Sequence, residues 1–395
     1  MTTLFPWLME PDWTGGVTET LEWKTDVLQS PTGAEQRIAR RLSPRRQFEF
    51  SILADDADRQ WLENAVWQAG GSEWAMPVFP DVSPLQVSVT AGATQLQVDT
   101  VGRDFSAGGM VLLKNAEAMS SPAALVALSA VAPGILTLAQ PLAAGWLAGS
   151  AVYPVRPAVL TDPPAFTRLT GTLTSAQIRF RVAQHNAFSS QAAFALYRGH
   201  PVLTWAPDWT ETLTADYQRQ LIELDNGTGI PSRLDTARRP FYQQKYTWSL
   251  MGRSEQFALR QVLYYLRGRQ RAVWVPSHND DLTTVSGISG NSMMVVRCGM
   301  SEMGSVNGRR DLCIYLIDGS ILYRRITSVN IASTNTERLT LDGDAVVIPP
   351  ANIVSVSFMS LSRQNSDSLV WQHSTDADGF ASIATTFIGV RDELE

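Results

Sequence analysis

A tandem internal match constrains this chain more than any other feature. Pro11-Asp12-Trp13-Thr14 recurs 196 residues later as Pro207-Asp208-Trp209-Thr210. Thr18-Glu19-Thr20-Leu21 returns as Thr210-Glu211-Thr212-Leu213 at 192, Thr32-Gly33 as Thr228-Gly229 at 196, and Ala39-Arg40-Arg41 as Ala237-Arg238-Arg239 at 198. The strand Phe48-Glu-Phe-Ser-Ile52 then aligns with Tyr246-Thr-Trp-Ser-Leu250 at 198, and Trp74-Ala-Met-Pro77 aligns with Val273-Trp-Val-Pro276. Single matches of this kind mean little. A dozen in order, with offsets between 192 and 199, read as tandem duplication.

The repeated unit reads alike in both copies. An alternating extended segment breaks at a turn-rich stretch, Ser30-Pro31-Thr32-Gly33 or Asp225-Asn226-Gly227-Thr228-Gly229. A polar strand passes through Pro44 or Pro240 into a second alternating strand, and a helix follows. Its apolar stripe is Trp61, Leu62, Ala65, Val66 and Ala69 in copy one, and Phe257, Leu259, Val262, Leu263 and Leu266 in copy two. Gly70-Gly71 and Gly268 are expected to supply left-handed caps at the helix ends. Short strands at 8–14-residue spacing then indicate a small barrel in each copy. The expected fold is mainly β (α+β): a duplicated β-sandwich unit with one packed helix, each copy carrying a small inserted β-barrel. The expected boundaries are 1–83 closed by 155–183 for copy one and 84–154 for its barrel. They are 184–199 for a linker, 200–282 closed by 350–395 for copy two, and 283–349 for the second barrel.

Composition narrows the function. The 395 residues carry 32 Lys+Arg against 38 Asp+Glu, a net charge of -6. That acidic balance offers no footprint for specific nucleic-acid binding. A 44% hydrophobic share with 18% charge can bury a sizeable core. No apolar run approaches the ~20 residues of a membrane span, and the start, MTTLFPWLMEPDW, has no secretory-signal pattern.

No catalytic, cofactor or metal signature emerges. His185, His200, His278 and His373 fall in no ligand spacing, and His278 beside Asp280 and Asp281 reads as turn chemistry. Cys298 and Cys313 read as reduced, core or half-buried residues. Asp367, Asp376 and Asp378 read as solvated loop charges. The clusters Arg37, Arg40, Arg41, Arg45, Arg46 and Arg267, Arg269, Arg271 read as subunit ion pairs or a solvated face. Twelve tryptophans need an explanation. Core packing accounts for many, and interface anchoring is the functional alternative. The candidate interface residues are Trp13, Trp74, Trp209, Trp274, Arg267 and Arg269. A carbohydrate-binding module, with aromatic rings stacked on sugars, and a cell-wall hydrolase stay open as other classes; the hydrolase lacks any carboxylate pair in suitable spacing.

The segment Gly268-Arg-Gln-Arg-Ala-Val-Trp-Val-Pro-Ser-His-Asn-Asp-Asp-Leu282, together with Arg363-Gln-Asn-Ser-Asp-Ser-Leu-Val-Trp-Gln-His373, resembles tail proteins of long-tailed bacteriophages, of the distal-tail or baseplate-hub type. Copy one departs from the pattern, since Trp74-Ala-Met-Pro77 lacks the Trp-x-Pro form. The resemblance implies a tube-like β-sandwich unit and a virion protein assembled in the host bacterial cytoplasm. It also implies a ring joining the tail tube protein to other baseplate, hub or fibre proteins. Two tube-like units per chain make a trimer with pseudo-six-fold symmetry the favoured ring and a hexamer the second.

Overall fold

The computed structural model describes residues 4–391 apart from 116–121, 186–187, 189–193, 210–211, 304–308 and 378. The protein is mainly β. Its first half runs β1 (Phe5–Pro6), β2 (Val17–Glu22), β3 (Thr25–Gln29), β4 (Glu35–Ala39), β5 (Arg45–Ala54), α1 (Asp56–Ala69), β6 (Trp74–Pro77), β7 (Ser83–Pro84), β8 (Gln95–Gln97), β9 (Met110–Lys114), β10 (Ala123–Ala132), β11 (Ile135–Leu138), β12 (Ala151–Leu160), β13 (Phe166–Arg168) and β14 (Thr174–Val182). The second half opens with β15 (Leu196–Tyr197), β16 (His200–Pro201), β17 (Ala215–Gln218), β18 (Leu221–Leu224), β19 (Ser232–Asp235), β20 (Phe241–Met251), α2 (Arg253–Leu266) and β21 (Val273–Pro276). It ends with β22 (Thr284–Gly290), β23 (Ser292–Val296), α3 (Met300–Met303), β24 (Asp311–Leu316), β25 (Ile321–Ser333), β26 (Thr336–Leu341), β27 (Val346–Ile348), β28 (Ile353–Gln364), β29 (Ser368–His373) and β30 (Phe380–Gly389).

Strand pairing follows one order in both halves. In the first, β5 lies between β2 and β14, β14 pairs with β12 and β13, and β12 pairs with β6 and β9. In the second, β20 lies between β17 and β30, β30 pairs with β28 and β29, and β28 pairs with β21 and β24. All of these pairs are antiparallel. The outer strands β9–β10–β11–β8 and β24–β25–β26–β23 continue the pairing beyond β12 and β28. The arms β3–β4 and β18–β19 each stand between the first two paired strands of their half.

Register corrects one sequence alignment. Phe48 sits between Glu19 and Phe180, and Gln244 sits between Ala215 and Phe387. The Asp12 amide bonds the Ser51 carbonyl and the Asp208 amide bonds the Thr247 carbonyl, so the long strands correspond at an offset of 196, with Phe50 matching Tyr246, rather than at 198. A slip of two residues preserves the in–out alternation of a strand, so side-chain pattern alone cannot separate the two offsets.

Four larger cores follow. Trp7, Phe48, Phe50, Leu62, Trp74 and Phe180 centre the first, beneath α1. Tyr246, Trp248, Leu259, Leu263, Trp371 and Phe387 centre the second, beneath α2. Leu96, Leu113, Leu136 and Val152 lie in the third, and Met293, Leu312, Ile314 and Leu339 in the fourth. Leu21 and Trp23 belong by sequence to the first half but are buried in the second half's core.

Three local expectations change. Gly70 is right-handed, with φ -59°; glycine is needed there because a Cβ would meet the Val66 carbonyl. At the end of α2 the left-handed cap is Arg267, φ 56°, with Gly268 following at φ 62°. Cys298 is exposed, because β23 ends at Val296 and the chain turns there into α3, whereas Cys313 is buried within β24.

Candidate functional site: a strand-paired junction and its open counterparts

The two halves join edge to edge. β2 pairs with β29 over six residues, from Val17 opposite His373 to Glu22 opposite Ser368. The other edge of β2 is held by β5, so this strand is paired on both sides. Its buried face is Val17, Glu19 and Leu21: Val17 enters the first core and Leu21 the second. Glu19, between them, is a carboxylate on a strand face that otherwise packs apolar groups.

Glu19 is the centre of an enclosed charge network. Its carboxylate accepts from Arg46 Nε at 2.6 Å, from Arg260 Nη1 and Nη2 at 2.6 and 2.7 Å, and bonds His373 Nε2 at 3.0 Å. Arg46 and Arg156 both also pair with Asp104. Burial pushes the Glu19 carboxyl up, but Arg260 and Arg46 more than offset it and hold it well below the usual carboxylate range. Asp104 is shifted down by the same balance of burial against Arg46 and Arg156. Burial lowers His373 despite its bond to Glu19, so its imidazole is neutral near pH 7 and Nε2–H donates. With both arginines paired, the site is held by charge-assisted bonds in a place that water does not reach.

Three further contacts close the junction. Asp367 accepts from the Thr25 amide at 2.7 Å and from the Arg269 amide at 2.9 Å, and it pairs with the Arg269 guanidinium at 3.2 Å. It is a junction residue, and the expectation of a solvated charge is corrected: the turn before β29 meets the start of the first arm. Glu35 on that arm grips Arg363 of β28 through two bonds of 2.7 and 2.8 Å, and Gly33 lies where any Cβ would run into the Phe241 ring. At the start of α2, Arg253 reaches Asp81 at 3.2 Å, with Gly102 packed against the Arg253 carbonyl.

The corresponding surfaces at the far ends are open. β17, the counterpart of β2 by register, is exposed along its length. Beside it lies a cavity of about 430 Å³ whose wall includes Tyr217, Arg219, Tyr242, Trp274, Arg309 and Phe358. Arg309 stacks over both the Tyr217 and Phe358 rings. β13, the counterpart of β29, is an exposed edge beyond β14.

The nominated interface residues scatter. Trp74 is 0% exposed, ringed by Phe5, Trp7 and Phe180, and presents no surface to a partner. Trp274 is buried, donating Nε1–H to the Tyr197 carbonyl at 2.9 Å, and its ring borders the cavity. Trp13 is half-buried against the first core. Trp209 is 57% exposed, and the remainder of its repeat at 210–211 lies outside the described residues. Arg269 is the one that reaches the junction, through Asp367, and Arg267 caps α2 next to it. Part of the expected linker, 186–187 and 189–193, and Asp378 also lie outside the described residues.

Sequence reasoning missed Glu19, Arg260 and His373 as a group. The signal that could have found Glu19 was a charged residue in the buried phase of a strand. No helix among the described residues is long and apolar enough to cross a membrane. No family profile matches the chain, and no curated protein matches its sequence.

Proposed function

We propose that this protein is a virion structural protein of a phage tail tip or baseplate, forming a ring that joins the tail tube to the distal hub, spike or fibres. In this reading the halves are duplicated copies of one tube-like unit, each with a small inserted barrel. The shared pairing order and the matching helix positions support that descent. The observation that carries the ring is the junction itself. One unit presents β2 to the next unit's β29, and the same two edges remain open at the opposite ends of the chain. An interface of this head-to-tail kind closes into a ring when the rotation allows. Two units per chain favour a trimer with pseudo-six-fold symmetry, with a hexamer second.

Light scattering across a concentration series, followed by electron microscopy, tests this. Closed rings of three or six chains support the proposal. A chain that stays monomeric at the highest soluble concentration overturns self-assembly into a ring. The carbohydrate-binding alternative calls for a coplanar exposed aromatic pair. The pair in the cavity wall, Tyr217 and Tyr242, is tilted by 44°, which fits a sugar platform poorly.

A further inference from the structure

We propose that the β17 edge and the adjoining cavity of one chain receive α1 and the Phe166–Arg168 strand of a second copy of the same chain. This rests on the ring reading and assigns its surfaces.

The junction inside the chain supplies the template. There β29 covers the edge of β2, and the first turn of α2 enters a groove beside Asp81 and Gly102. The counterparts are β13 for β29, β17 for β2, and α1 for α2. Positions covered inside the chain are bare at its ends. Leu21 is 0% exposed, and Tyr217, at the matching position of β17, is 51% exposed. Tyr264, the twelfth residue of α2, is 5% exposed and meets the Trp23 ring edge-on at 5.5 Å. Trp67, the twelfth residue of α1, is 93% exposed. In the matching register Trp67 meets Arg219, the counterpart of Trp23, so an aromatic pair is replaced by a ring and a guanidinium.

The charge changes on the helix side of the contact, while Asp280, which follows Pro276 as Asp81 follows Pro77, stays acidic. Inside the chain a cation, Arg253, begins the helix and reaches an acid, Asp81. At the open end the helix begins with Asp55, Asp56 and Asp58, and on the cavity wall Arg219 pairs with Asp235 and Arg325 with Asp311, while the exposed Arg309 lies over the Tyr217 and Phe358 rings. An acidic helix start therefore faces a wall that presents the exposed guanidinium of Arg309. The free arm agrees: Leu221, Ile222, Leu224, Ile230 and Leu234 are all exposed on β18–β19 and the turn between, whereas the matching arm is seated by Glu35 and Gly33. Pro163 and Pro164 precede β13 and offer no amide, so the strand pairing between chains is shorter than the six residues of β2 with β29.

Charge reversal at two exposed positions tests the assignment. Arg309→Glu places two acids face to face, and Asp56→Arg places two cations together. The backbone at Asp56, φ 39°, is one that Arg198, Arg238 and Arg267 also adopt. Each single variant, once its fold is verified by circular dichroism and melting, is expected to raise the concentration for assembly at least tenfold. The double variant, which restores one acid opposite one base, is expected to return it towards wild type. Wild-type rings that both single variants leave unchanged would overturn this interface while keeping the ring. If the wild type forms no oligomer at all, the ring reading fails with it.

Discussion

Glu19 and Arg260 lie 241 residues apart and meet through two hydrogen bonds of 2.6 and 2.7 Å where neither side chain is open to water. The pair is the point at which the first half's edge strand is fastened to the second half's helix. A buried pair of this type is costly to break one partner at a time, because the survivor is left charged and undersolvated.

Glu19→Ala is therefore expected to destabilise the fold by about 3–5 kcal/mol, since Arg260 loses its carboxylate and Arg46 retains only Asp104. Glu19→Gln, which keeps the shape and one acceptor, should cost less. Urea denaturation of the two variants measures the difference. Equal, sub-kilocalorie losses in both would show the network to be irrelevant to stability.

Acid should weaken the protein in two stages. His278 is lowered from 6.5 to about 4, by burial, so the unfolded chain takes up its proton first. A folded pKa below the unfolded one means that stability is full above pH 6.5 and is lost as pH falls; over 6.5 to 4 this amounts to about 3 kcal/mol. His373, also lowered by burial, acts in the same direction. Glu19 and Asp104 then add their loss below the ordinary carboxylate range, as their depressed folded values are approached. His278→Asn, at a φ of 55° that suits Asn, should flatten the first stage in melting curves recorded from pH 7 to 4.

Two tryptophans should behave oppositely. Trp74→Ala empties the centre of the first core and should cost about 3–5 kcal/mol in the isolated chain. Trp67→Ala should change monomer stability by less than about 0.5 kcal/mol, as expected for an exposed site. Thermal melts at a concentration below assembly separate the effects.

The thiols should differ in access. Cys298 is exposed, though partial burial and then its bond to Glu337 raise its pKa; Cys313 is buried and pushed up to about 12. A thiol reagent at pH 8 should modify one cysteine slowly in the native protein and the second only on unfolding. Two equivalents consumed by the native protein would contradict the placement of Cys313.

Much of the local structure was legible. Leu259, Val262, Leu263 and Leu266 form the buried side of α2 at the positions their spacing implied, and Leu62, Ala65 and Ala69 do so on α1. Trp61 and Val66 on α1 and Phe257 on α2, expected on the same stripes, are half-buried. Asp367 illustrates the limit. Flanked by Asn, Ser and polar turns it looks like a solvated charge, and only the approach of Thr25 and Arg269 makes it a clasp.

The sequence by itself determined the predominance of β-structure, the place of both long helices and the in–out phase of the long strands, because alternation and helical spacing are written in near neighbours. Tertiary structure alone decided that Leu21 and Trp23 complete the second half's core, that Glu19 faces Arg260 and His373, and that β17 and β13 are left open. Those outcomes depend on which edge meets which across hundreds of residues, and a strand edge carries the same backbone donors and acceptors whatever partner it finds.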